Sequence, residues 1–189
     1  MPHWRDVVIN ALLFQGLWFA AILSGWQWAL LPLGLMLVHV IVISERPWQV
    51  LAPLIPAFLL GGFMDAMLHG FGVFAFEARQ LEMQIAGLPL FLAIIWLGFL
   101  LTLPVSLKRF VTKPRWFVLM CALLAPLSYR AGAALGAVQL SEHWLWYLVP
   151  LWAFFGWYLS YQQGVVRFEK DLTRRCLADF SRGAGKYPD

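Results

Sequence analysis

From Val7 to Ile43 the chain carries no aspartate, glutamate, lysine or arginine. One hydrocarbon crossing takes about 20 mostly apolar residues, so this stretch has room for two. Backbone polar groups in lipid must pair within the segment, which makes helices the expected form. The rest of the chain repeats the pattern. With 61% hydrophobic residues, 13% charged residues and a mean hydropathy of +0.71, the apolar residues fall in runs rather than in the periodic stripes of a soluble domain.

The runs break at Ser24-Gly25, at Ser44 to Pro47, over Phe71 to Gly87, at Lys108 to Arg115 and at Gln139 to His143. Six spans result, at roughly 7–23, 26–44, 48–70, 88–107, 116–138 and 144–165. The expected fold is all-α, a polytopic six-helix transmembrane domain over residues 1–166. The run after Arg5 is too long for a signal-peptide core and lacks a cleavage pattern, so it reads as an uncleaved first helix. No internal repeat shows in the sequence; an inverted arrangement of three helices plus three stays open. Residues 167–189 change character: Phe168, Leu172, Cys176 and Phe180 recur every four residues among Lys170, Arg174 and Arg175. This reads as a basic, amphipathic cytoplasmic tail.

Basic residues orient the bundle. With both termini in the cytoplasm, only Arg79 of the 14 lysines and arginines falls in an outer loop, and only Arg130 falls inside a span. That bias follows the positive-inside rule for a multi-pass membrane protein with both termini cytoplasmic. The net charge of +4 then reflects topology and contact with lipid headgroups, not nucleic-acid binding. Trp4, Trp48 and Trp116 at inner span ends, and Trp26, Trp28, Trp144 and Trp146 at outer ends, form the expected interfacial belts. Cys121 within a span and Cys176 in the tail make no disulfide framework.

Ionisable groups inside a span cost about 2.5–3.5 kcal/mol each on insertion scales and need a partner or a wet cavity. "GGFMDAMLHGFGVF", residues 61–74, holds Asp65 and, one turn on, His69. Arg130 lies at nearly the same depth in the fifth span, so the expectation is an Asp65–Arg130 pair, with Tyr129 and His69 completing a ligand or ion-pair site. Such a pair either fixes helix packing or also holds a ligand. Phe71, Phe74 and Phe76, in the longest outer loop, would cover it. Nearer the cytoplasm, Asn10, Gln15, His39, Thr102 and Ser106 make a second polar layer, of the kind that bonds helices together. Ser128, Gly132 and Gly136, continued by Ala125, form a small-residue stripe suited to close helix packing. Pro32, Pro53, Pro56, Pro104 and Pro126 predict kinks or breaks.

Catalytic signatures are missing. There is no G-x-S-x-G, Walker A, H-E-x-x-H or C-x-x-C motif, and four scattered histidines make no His box. Asp65 and His69 alone are too few for a metal site, so no metal, cofactor or catalytic residue is assigned.

Four ordered stretches carry a resemblance: "NALLFQGLWFAAI" (10–22), "GGFMDAMLHGFGVFAF" (61–76), "LPLFLAIIWLGFLLTLPVSLKRF" (88–110) and "LLAPLSYRAGAALGAVQL" (123–140). From about residue 7 to 160 the chain resembles the DUF2878 family of small bacterial inner-membrane proteins. The resemblance implies the same topology and a role around membrane lipids, and supplies no mechanism. The "GG..D......G" pattern is also similar to substrate-binding subunits of energy-coupling vitamin transporters and to a rod-shape membrane protein. Three functions follow as expectations: a non-enzymatic module that binds a lipid or small ligand or supports a partner, an intramembrane lipid-modifying enzyme, and a transporter or its substrate-binding subunit. The partners expected are membrane lipids and either a second copy or another membrane protein.

Overall fold

The computed structural model describes residues 3–85 and 87–162. The basic tail over 167–189 lies outside them. The chain is mostly helical, in agreement with the all-α expectation. In order come α1 (Trp4–Leu23), α2 (Trp26–Ile43), α3 (Pro47–Leu51), α4 (Leu54–Gly70), β1 (Phe74–Phe76), β2 (Gln84–Ile85), β3 (Leu88–Pro89), α5 (Leu90–Thr102), α6 (Lys108–Val111), α7 (Pro114–Ala134) and β4 (Val138–Leu140). A last helix, α8, covers residues 144–162. Among the described residues, four helices are long and apolar enough to cross a membrane: α1, α2, the α3–α4 pair and α7.

The expected span over 88–107 is shorter than its apolar run. α5 ends at Thr102 after 13 residues, and the chain turns through Leu103 to Leu107. Pro104 has no N–H to continue the helix, and the freed carbonyls find other donors. Asn10 of α1 donates to the Leu101 carbonyl at 3.2 Å, and the Leu107 amide donates to the Thr102 carbonyl at 2.9 Å. Pro53 breaks the third span in the same way, separating α3 from α4.

α5 is the axis of the bundle. From Leu90 to Leu101 it has no charged side chain, and it is buried on nearly every face, as an all-round apolar helix should be. The α1–α2 hairpin and α4 pack around it. Gly98 lets α1 close in, since a Cβ there would lie 2.7 Å from Leu17 Cδ1.

The Phe71 to Gly87 segment, expected as a loop, folds into short strands and a 3-10 turn at Ala78–Leu81. α4 and α7 end alike. Gly72 and Gly136 both sit at positive φ, +70° and +72°. At each end two backbone bonds close the helix: Gly72 to His69 and Val73 to Leu68, then Gly136 to Ala133 and Ala137 to Gly132. Each closure leads into a strand, and β1 and β4 pair antiparallel, Phe74 with Leu140, Ala75 with Gln139 and Phe76 with Val138. The two units are therefore 64 positions apart and related by a local pseudo-two-fold axis through the Ala75–Gln139 pair. Both helices point the same way, toward this strand end. The likeness is confined to these helix ends and strands, which the sequence did not display as a repeat.

Candidate functional site

Asp65, in α4, is buried and accepts from two donors. The Tyr129 hydroxyl donates to its Oδ1 at 2.6 Å and reaches Oδ2 at 2.7 Å; Trp96 Nε1 donates to Oδ2 at 2.7 Å. Asp65 and Tyr129 are again 64 positions apart, so equivalent points of the two units meet near their axis. Gly61 makes the Trp96 contact fit. It lies one turn before Asp65, and a Cβ there would come within 2.5 Å of the Trp96 ring. One face of α4 thus receives the indole plane at Gly61 and its N–H at Asp65. On its far side Trp96 stacks parallel on Trp152 of α8 at 5.0 Å, and Phe155 meets it edge-on at 5.0 Å.

Arg130 is not part of this cluster. It is exposed, and among the described residues Asp65 has no ion-pair partner. Successive helix residues point about 100° apart, so Tyr129 and Arg130 share a depth but only one can face α4. The neutral phenol satisfies the carboxylate without burying a second charge. Arg130 stands four residues from the end of α7. His69 is also turned elsewhere: its Nδ1 bonds the Phe74 carbonyl at 3.1 Å and its ring packs 5.0 Å from Phe76, so it anchors β1. Phe71 is exposed, whereas Phe74 packs 5.4 Å from Tyr129.

The second polar layer divides. Ser106 donates to Asn10 Oδ1 at 2.7 Å, and Thr102 donates to the Phe99 carbonyl, so Asn10, Thr102 and Ser106 close the broken end of α5. His39 stays apart in α2, its Nε2 enclosed with no partner among the described residues. Gln15 faces a groove instead.

That groove has a cavity volume of about 910 Å³ and lies between α1, α5 and α7. α1 lines it with the stripe Val7, Ala11, Phe14, Trp18 and Ile22, and α7 lines it with Ala125, Ser128, Ala131 and Gly132. Of the small residues of α7, expected to pack closely against a helix, Ala125, Ser128 and Gly132 border this space. A Cβ on Gly132 would meet Val138 and Ile22 at ordinary contact distance, 3.6 and 3.7 Å. Tyr129, Trp96 and Trp152 form part of the wall, with Asp65 behind them.

Sequence reasoning missed Trp96 and Gln80. A tryptophan inside a run otherwise free of N–H side-chain donors was the available signal, because a buried indole N–H needs an acceptor. Gln80 is buried and donates to the Ile22 carbonyl at 3.2 Å, a contact that no local pattern announces. Among the described residues no three metal-ligating side chains converge. The geometry makes Asp65 an acceptor held by two donors, turned away from the groove and suited to bracing α4, α5 and α7.

The family model described as "Protein of unknown function (DUF2878)" matches residues 7–162. No curated protein and no solved structure matches the chain.

Proposed function

The chain belongs to the DUF2878 family, a family defined without an activity, and from that premise we propose a role read from geometry: it is a multi-pass inner-membrane protein that binds a membrane lipid in the groove between α1 and α7. One observation carries this reading. A cavity of about 910 Å³, lined mostly by aliphatic and aromatic side chains, lies along membrane-length helices. Its size is at the upper end of the range of about 300–1,000 Å³ usual for ligand sites. In this reading α5 and α8 complete six spans, both termini are cytoplasmic, and the aromatic wall of Trp96, Tyr129 and Trp152 is kept rigid by Asp65.

The intramembrane-enzyme and transporter readings need Asp65 to act on a ligand, and they find less support because its oxygens face Tyr129 and Trp96. The test is native mass spectrometry of the full chain released from its membrane in mild detergent. Wild type should carry lipid adducts. Ala131→Phe, which places a ring in the groove from an exposed position, should lose them while keeping the wild-type melting temperature. Equal adducts on the folded Ala131→Phe protein would sink the reading.

A further inference from the structure

We propose that the occupant is an anionic glycerophospholipid, seated with its phosphate headgroup at the α6 end of the groove and its acyl chain running toward β4. This rests on the groove being a lipid site.

Shape comes first. The α1 stripe from Val7 to Ile22 runs about 22 Å at 1.5 Å per residue, most of the depth of a hydrocarbon layer about 30 Å thick. A groove of this length, lined along its course by aliphatic and aromatic side chains, matches an extended acyl chain.

Polarity then sets the direction. At the β4 end the wall is Ile22, Phe76, Leu135 and Val138. At the α6 end it is Thr102, Ser106 and Leu107, beside Val7. Both hydroxyls already donate within the protein, and the head is placed at this end because the opposite wall is wholly apolar.

Charge selects the headgroup. Lys108 and Arg109 follow Leu107 directly and are exposed, and exposed Arg5 stands two residues before Val7. No acidic residue occurs between Met83 and Ser141, so α5, α6 and α7 offer this mouth no competing carboxylate. Asp6, the nearest acid on α1, accepts from the His3 amide as a helix cap. Topology alone would also place basic residues on this side. A seated headgroup adds selectivity among lipids, which topology does not.

The experiment loads the full chain into nanodiscs of equimolar phosphatidylglycerol and phosphatidylethanolamine and reads bound lipid by native mass spectrometry. Wild type should retain phosphatidylglycerol preferentially. The K108Q/R109Q double variant alters exposed positions only and should keep its total lipid while losing that preference, by about fivefold for each charge removed. R130Q, at the opposite end, should behave as wild type. Bound lipid without an anionic preference, or a preference that follows Arg130, overturns the headgroup assignment and leaves the groove reading standing. Absence of any retained lipid overturns both.

Discussion

At the scale of single residues, the informative contrast is between Tyr129 and Arg130. Depth along the helix was legible in the sequence and pointed to Arg130 as the partner of Asp65, with Tyr129 beside it. Facing was not, because it depends on how α7 is rotated, and that is set by packing between distant segments. The charge of Arg130 drew the pairing toward the wrong neighbour. Burying a carboxylate against a phenol and an indole needs no second desolvated ion, and hydrogen bonds to a charged group are worth about 1.5–3 kcal/mol in water-soluble proteins. Within membranes such bonds average nearer 0.6 kcal/mol. Tyr129→Phe should therefore cost about 1 kcal/mol in detergent unfolding, since the hydroxyl reaches both carboxylate oxygens. In an Asp65→Ala background the same change should be close to neutral, the acceptor being gone. An equal cost in both backgrounds would mean that the hydroxyl contributes through something other than Asp65.

At the scale of elements, helix existence followed from composition and helix ends followed from chemistry between helices. Pro53 and Pro104 announced breaks in the third and fourth spans. The sequence could not announce that Asn10, some 90 positions earlier, supplies the donor for the Leu101 carbonyl at the end of α5. The polar layer near the α6 end thus has a structural cause, the satisfaction of backbone groups where water is absent. The adjacent Gly61 and Gly62, one turn before Asp65, offer a face that a neighbour can approach closely, but which neighbour does so was not legible. Gly61 and Gly16 separate the two effects of adding a methyl group to a helix. At Gly16 nothing lies within 4 Å of the new Cβ, so Gly16→Ala should be neutral or stabilise by up to about 1 kcal/mol. At Gly61 the Cβ would enter the Trp96 ring, and moving the ring loosens its bond to Asp65. Gly61→Ala should cost about 1–3 kcal/mol, the usual penalty of overpacking. Thermal unfolding followed by tryptophan fluorescence measures both, and a Gly61→Ala protein as stable as wild type would show that Trp96 is free to shift.

At the scale of the whole molecule, the sequence made the membrane and the helices legible, because runs of this length without charge have nowhere else to fold. It hid the pseudo-two-fold relation. The halves "HGFGVFAF" and "AALGAVQL" share a glycine at the helix closure and little else, and symmetry of backbone needs no more, since only φ at that position must be positive. The strand pair on the axis now offers a single measurement of both pairing and sidedness. Ala75 and Gln139 are exposed and directly opposite, and Cα atoms of opposed antiparallel residues lie about 4.5–5.5 Å apart, within the range a disulfide bridges. In a chain with Cys121→Ala and Cys176→Ser, the pair Ala75→Cys and Gln139→Cys should crosslink. In the proposed orientation, with both termini cytoplasmic, the strand end would face the periplasm, where disulfides persist, and the bond should then form in growing cells without added oxidant. A bond that appears only after oxidant reaches the other face of isolated membranes would keep the pairing and reverse the orientation. No bond under either condition would remove the β1–β4 register, and with it the axis on which Asp65 meets Tyr129.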